Sequence, residues 1–437
     1  MPWCPMTPPA VRDKLEAALE ASEAPAARHV FTVRMPKTAR AEADAADARR
    51  KAGLSLGPLD GKIVSVKDLF DIAGSPTPAG SAMLRNAPAA TKDAVAVARI
   101  RRAGAVIIGR TNMSEFAYSG LGLNPHYGTP GNAAAHDRAP GGSTSGGAVS
   151  VGLGIADFTL GTDTGGSTRI PAAFNGIVGF KPTSTRIPKE GCFPLSYALD
   201  SIGPLARTVA DCAAADAIMA GDEPSTLPAV DLAGLRIGVP RGLMFEALEP
   251  EVSEAFEAGL ASLVKAGARV VEMSIDDLIL AMREALAIGP IAACEAAQIH
   301  AGAVEKTPEA FDRRVLSRIM LGYNTPARGY IEAMQRREML KPAFAARLSA
   351  YDVLALPTVA IRAPMIAPLE ADDTLFNAVN ILALRNTNFG NFFDVPGLSL
   401  PLPVAGLPVG LMLLGAPMSD RRMFAIGAAV ERLLKAG

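Results

Sequence analysis

Histidine occurs only four times in this chain of 437 residues, cysteine four times and tryptophan once. The cysteines, Cys4, Cys192, Cys212 and Cys294, are scattered and form no C-x-x-C pair. That pattern predicts reduced thiols in a cytoplasmic protein. The histidines, His29, His126, His136 and His300, form no H-E-x-x-H and pair with no cysteine, so no metal site is expected. His126 and His136 read as polar loop residues. Neither sign of charge is in excess: 43 Lys and Arg face 44 Asp and Glu, for a net charge of −1. A nucleic-acid footprint needs a basic patch or stripe, and Lys62, Arg99, Arg101 and Arg102 read instead as solvated helix faces. Although 49% of residues are hydrophobic, no apolar run approaches the ~18 residues that span a membrane. The start, Met1-Pro2-Trp3-Cys4-Pro5, lacks the basic-then-apolar order of a signal peptide.

What is present is an alternation. Residues 9–51 read as two amphipathic helices with Pro25 between them. Gly57-Pro58-Leu59-Asp60-Gly61 is a turn, and Ile63 to Val66 a buried strand. Helices then strands follow at 93–102 and 105–109, at 209–219 and 235–239, and at 252–265 and 269–273. Further strands at 352–356 and 410–414 precede a closing helix at 421–435. This predicts an α/β fold around a parallel or mixed central sheet flanked by helices. Length alone allows two or three domains. No segment reads as a linker, since 222–231 is a surface loop, so one large domain over 1–437 is expected, with the helical segment 1–56 packed on it.

Glycine (41) and proline (34) concentrate at 120–190. There Ser143 sits in Pro140-Gly141-Gly142-Ser143-Thr144-Ser145-Gly146-Gly147, and Ser167 ends Gly161-Thr162-Asp163-Thr164-Gly165-Gly166-Ser167. Consecutive glycines let backbone N–H groups converge on one point, an anion nest beside a serine. With histidine scarce, the base is sought in lysine. Lys67 follows the apolar run Ile63-Val64-Ser65-Val66, and burial lowers a lysine pKa toward a useful range. Ser143 is then placed as a proton relay between Lys67 and Ser167. Competing motifs are weaker. Gly53-Leu54-Ser55-Leu56-Gly57 matches G-x-S-x-G without the strand before it, Ser262-Leu263-Val264-Lys265 matches S-x-x-K inside a helix, and no P-loop or dinucleotide fingerprint is present.

These segments resemble the amidase signature family, the serine hydrolases of the Ser–cisSer–Lys type. The resemblance rests on 141–146, on 161–172 and on Gly57-Pro58-Leu59-Asp60-Gly61-Lys62-Ile63-Val64-Ser65-Val66-Lys67-Asp68. It continues through Phe180-Lys181-Pro182-Thr183, 200–207, 352–358 and 406–411. It implies an acylated nucleophile at Ser167, a relay at Ser143 after a cis peptide bond, and a neutral base at Lys67. It further implies an oxyanion hole from the N–H groups of Thr164, Gly165, Gly166 and Ser167, with Ser145, Asp163 and Arg169 as loop supports. Tyr118 and Ser119 match a segment lining the acyl pocket of relatives. Thr144 replaces the more usual serine, and Asn175 stands where many relatives carry cysteine.

The activity so implied is hydrolysis of a small carboxamide to carboxylate and ammonia or amine, with no cofactor. The expected partner is a small-molecule amide, with no nucleic acid and no membrane; a homodimer is the expected assembly. A second branch of the family is the glutamyl-tRNA amidotransferase subunit that releases ammonia from glutamine. Arg318 resembles a glutamine-orienting arginine of that branch, the alternative being a surface helix arginine. No acidic partner for it is identified between Asn386 and Asp394.

Overall fold

The computed structural model describes residues 9–436; Cys4 and the Met1–Pro5 start lie outside them. The strands are β1 (Phe31–Arg34), β2 (Ile63–Lys67), β3 (Val106–Thr111), β4 (Phe158–Asp163), β5 (Val178–Lys181) and β6 (Ser201–Ala206). They continue as β7 (Arg236–Pro240), β8 (Arg269–Met273), β9 (Val353–Pro357), β10 (Gly397–Pro401) and β11 (Gly410–Leu414). All eleven belong to one mixed sheet in the order β1-β3-β2-β4-β6-β5-β10-β11-β9-β7-β8. Pairings β3–β2–β4 and β9–β7–β8 are parallel, and the remainder antiparallel. Helices flank the sheet, giving the single α/β domain that the alternation predicts.

The central strands are apolar because both faces are covered. Every residue of β2, β3, β4, β6, β9 and β11 is buried, the expected pattern for strands enclosed by crossover helices. The helix Val209–Ala220 illustrates the local logic. Thr208 caps its start by accepting from the Asp211 N–H, and Gly221 ends it in the left-handed region at φ +89°, which glycine enters without a Cβ penalty.

The N-terminal segment differs from the two-helix expectation. The helices Val11–Ala21 and Pro36–Lys51 are present, but β1 lies between them and pairs antiparallel with β3 at the sheet edge. Four half-exposed residues, Phe31-Thr32-Val33-Arg34, are too few for periodicity to register. Leu15, Leu19, Ala39 and Ala43 pack with Ile63, Val106 and Ile108 in one apolar cluster. Two of the four basic residues read as solvated are instead ion-paired: Lys62 with Asp211 at 3.0 Å, and Arg101 with Asp93 at 2.9 Å and with Glu42, while Arg102 is exposed. Among the described residues, no helix is long and apolar enough to cross a membrane.

Because β2 and β4 are parallel, with Val66 opposite Leu160, their C-terminal ends emerge side by side. Lys67 ends β2, and Thr162-Asp163 ends β4. This is the edge at which α/β sheets gather functional loops.

Candidate active site

Lys67 is fully buried. Its Nζ lies 2.8 Å from Ser143 Oγ and 2.8 Å from Thr162 Oγ1, with the Thr162 carbonyl oxygen at 3.5 Å. Burial lowers its pKa to about 7, against the opposing pull of Cys192, Asp163 and Asp200. The lysine is therefore poised to stand neutral near physiological pH, where a solvated one, near ~10.4, would not.

Ser143 follows a cis Gly142–Ser143 peptide bond and precedes the helix Ser145–Gly152. Backbone bonds pin it on both sides. Gly142 N–H donates to the Gly120 carbonyl at 2.8 Å, Ser114 N–H donates to the Ser143 carbonyl at 3.2 Å, and Thr144 N–H reaches the Ser167 carbonyl at 3.4 Å. The last bond ties the two serine loops together. Ser145 Oγ donates to the Asn112 carbonyl at 3.2 Å. A Cβ at Gly142 would collide with the Gly122 backbone and Ser114 Oγ, so the close loop approach requires glycine there.

Ser167 is 3% exposed and opens into a cavity of about 170 Å3. Residues 164–167 bridge β4 to the helix Arg169–Asn175. Among the described residues, no acceptor takes the backbone N–H of Gly165, Gly166 or Ser167. Adjacent free donors of this kind can hold a developing oxyanion. Gly166 stands at φ +143°, a region L side chains rarely adopt, and Thr387 occupies the space a Cβ would need. Among the described residues, the Ser167 hydroxyl makes no hydrogen bond. Lys67 is thus hydrogen-bonded to Ser143, whereas Ser143 and Ser167 share no side-chain hydrogen bond.

The loop is fixed from below by Asp163. Its carboxylate takes Arg169 Nη2 at 2.9 Å and Nε at 3.1 Å, Thr168 N–H at 3.0 Å and Asn391 Nδ2 at 2.8 Å. Burial pushes the Asp163 pKa up, but the Arg169 charge and these hydrogen bonds outweigh it and hold the carboxyl well below the usual range. From the side, Thr387 Oγ1 donates to the Gly165 carbonyl at 2.6 Å. Thr164 Oγ1 donates to Asp200 Oδ1 at 2.5 Å.

The cavity is lined by Ala117, Tyr118, Ser119, Thr164, Gly165 and Ser167, and by Leu195, Leu199, Ala292, Arg318, Asn380, Leu384 and Asn388. Tyr118, Ser119 and Arg318 therefore share one cavity with Ser167. Arg318 is half-buried rather than a free surface arginine, and its Nη1 donates to the Tyr118 carbonyl at 2.7 Å. Burial raises the Tyr118 pKa and lowers that of Arg318. The helix Asp373–Phe392 supplies residues that sequence reasoning missed: Asn380, Leu384 and Asn388 in the wall, Thr387 and Asn391 on the loop. Their spacing of four was the available signal, but it marks amides and a hydroxyl rather than an apolar stripe. The competing motifs lie elsewhere: Gly53 to Gly57 is an exposed turn, and Ser262 bonds the Ala258 carbonyl within its own helix. His126 pairs with Glu115 at 2.9 Å, and His300 packs among Phe116, Phe193 and Phe311.

The family model "Amidase" matches residues 13–424. The 2-amino-5-chloromuconic acid deaminase of Comamonas testosteroni is 38% identical over 91% of this chain and 87% of its own. A glutamyl-tRNA(Gln) amidotransferase subunit of Roseiflexus sp. (strain RS-1) is 35% identical over 96% of this chain and 92% of its own. A crystal structure of an amidase superposes with a TM-score of 0.87 at 35% identity, covering 98% of this chain and 96% of that one. The chain belongs to the amidase signature family, whose enzymes act on carbon–nitrogen amide bonds.

Proposed function

We propose that the protein is a stand-alone amidase that hydrolyses a small carboxamide through an acyl-Ser167 intermediate. The observation that carries this reading is the buried Lys67 amine, its pKa about 7, 2.8 Å from Ser143 Oγ. A neutral amine accepts the Ser143 proton as Ser143 accepts that of Ser167, and Ser167 Oγ bonds to the amide carbon. The carbonyl electron pair moves to oxygen, where the 164–167 N–H groups receive it. Collapse expels ammonia or an amine, protonated through the same relay. Water then attacks the acyl carbon, giving its proton along Ser143 to Lys67; as the second tetrahedral intermediate collapses, the relay returns that proton to Ser167 Oγ, and the acid departs and ionises to the carboxylate. Only side chains and backbone take part. Asp163 and Arg169 act as loop supports, and Tyr118, Ser119 and Arg318 bind the acyl group. The chain acts as one domain, with the described part of its N-terminal segment, 9–56, packed on it.

The amidotransferase reading draws on the Roseiflexus relative and on Arg318 in the cavity wall. It would require partner proteins and glutamine as the ammonia source. The discriminating experiment is ammonia release by the purified chain alone across aliphatic, aryl and acidic amides, urea-like compounds and glutamine, with Ser167→Ala as control. Release from a non-glutamine amide that vanishes in the control supports the stand-alone reading. Activity on glutamine alone would overturn it.

A further inference from the structure

Leu195 and Leu199 stand in the wall of the Ser167 cavity together with Thr164. They belong to a segment, 194–200, that is neither helix nor strand, yet both leucines are buried. The shape of such a segment is set by side-chain and turn hydrogen bonds rather than by a ladder.

Asp200 gathers those bonds. Its Oδ2 accepts the Leu195 N–H at 2.9 Å and the Ser196 N–H at 3.1 Å, and its Oδ1 accepts the Thr164 hydroxyl at 2.5 Å. One buried carboxylate thus holds the leucine wall with one oxygen and the start of the 164–167 loop with the other. All three partners donate, so the contacts select the ionised form, an acceptor at both oxygens. Burial raises the Asp200 pKa, and the hydrogen bonds from Thr164, Ser196 and Leu195 act against that rise.

The rest of the segment is braced from outside. Ser196 Oγ donates to Glu295 Oε2, the Ala198 N–H donates to the same oxygen at 3.2 Å, and the Tyr330 hydroxyl donates to Glu295 Oε1 at 2.7 Å. Lys189 Nζ donates to the Tyr197 carbonyl at 3.2 Å and to the Asp200 carbonyl at 3.0 Å. Next in the chain, Ser201 Oγ donates to the Asp163 carbonyl at 3.0 Å. A planar carboxylate moves as one body, so a shift of the leucines reaches Thr164 through Asp200. Thr164 in turn leads into the free N–H groups of Gly165, Gly166 and Ser167.

We infer, resting on the amidase reading above, that Asp200 is a positioning residue: it links the wall that an acyl chain fills to the loop that receives the carbonyl oxygen. An acyl chain pressed against Leu195 and Leu199 steadies Thr164 and the donors after it. Its contacts are then used in the transition state and not in ground-state binding alone. The cavity, about 170 Å3, has room for such a chain, since one of roughly 150 Å3 accommodates benzene.

The test follows acylation of the full chain by p-nitrophenyl acetate and p-nitrophenyl butyrate. The burst of nitrophenol gives the saturating rate and the binding constant separately. In the wild type the butyrate is expected to acylate about ten-fold faster or more at saturation. Thr164→Val removes the hydroxyl from Asp200 and leaves the Leu195 and Ser196 bonds in place. The rate advantage should then fall to about two-fold or less, while the tighter binding of the butyrate remains. Thr164→Ser keeps the hydroxyl and restores the advantage. Asp200→Asn turns an amide NH2 toward one of the two loops, breaks the link on that side and loses the advantage as well.

A wild-type gain confined to the binding constant overturns the inference. So does a Thr164→Val or Asp200→Asn enzyme that is slowed equally on both esters, since that is a packing defect alone. Labelling of Ser167 by a fluorophosphonate, followed by mass spectrometry, separates two kinds of failure. A labelled wild type without the rate advantage sinks the link alone. An unlabelled one sinks the acyl-serine reading and the link with it.

Discussion

Thr162 Oγ1 lies 2.8 Å from Lys67 Nζ. A neutral lysine has two N–H bonds to give and one lone pair to receive. In the proposed relay Thr162 takes one N–H, which turns the lone pair toward Ser143. Thr162→Val removes that acceptor while keeping the shape, so kcat is expected to fall by about ten- to a hundred-fold, corresponding to ~1.4–2.7 kcal/mol. KM should hold, because Thr162 is no part of the cavity wall. Steady-state kinetics on the preferred amide check this, with recovery in Thr162→Ser distinguishing an oriented amine from a packing defect.

The depressed lysine pKa fixes two pH dependences. Only neutral Lys67 can take a proton, so kcat/KM should rise with pH through about 7 and then level. Stability follows the same group. The unfolded chain carries the lysine at ~10.4, so between about 7 and ~10.4 it binds more protons than the folded chain, and stability rises with pH across that window. Below about 7 both states are protonated and the full cost of the buried ammonium is present. Lys67→Met should abolish the rate, flatten this part of the stability profile and raise stability at pH 6, as urea melts at pH 6 and 9 would record.

Arg169 and Asp163 are both fully buried and joined by two direct hydrogen bonds. Arg169→Met leaves the carboxylate without its charge partner, a loss of about 3–5 kcal/mol near neutrality. In the wild type the depressed Asp163 pKa contributes stability that is present above ~3.9 and is lost as pH falls through the folded value. In the variant burial dominates and raises that pKa, so the sign reverses. The variant's deficit should therefore be larger at pH 8 than at pH 5, measured by urea melts at both.

Thr387 fastens the Gly165 carbonyl to the helix Asp373–Phe392 at 2.6 Å. Thr387→Val frees that peptide unit and the N–H that follows it. An expected drop in kcat of about ten-fold or more, from an oxyanion donor held less firmly, should come with little change in melting temperature. Comparison of kcat with Tm checks it.

The centre of the sheet was readable because its strands are enclosed. Residues 63–66, 105–109 and 410–414 stand out as apolar runs with glycines beside them. The serine loops were readable because consecutive glycines mark backbone that must turn tightly or be approached closely. The edge strand Phe31–Arg34 was too short and too exposed to register. The helix Asp373–Phe392 was lost for a different reason. It points Asn380, Thr387, Asn388 and Asn391 inward, and polar residues at helical period normally signal a wet face. Here they answer backbone groups and a cavity that only the folded chain supplies. Thr162 was visible in its motif, but nothing in the sequence says that its hydroxyl meets a lysine ninety-five positions away.

On that helix the stripe 380, 384, 388 faces the Ser167 cavity, while 387 and 391 grip the loop at Asp163 and Gly165. Neighbouring stripes of one rigid rod thus hold two separable duties. Acyl preference can drift by replacing side chains on the first without loosening the second. Directed evolution of new substrates has its natural library at 380, 384 and 388, with 387 and 391 left untouched.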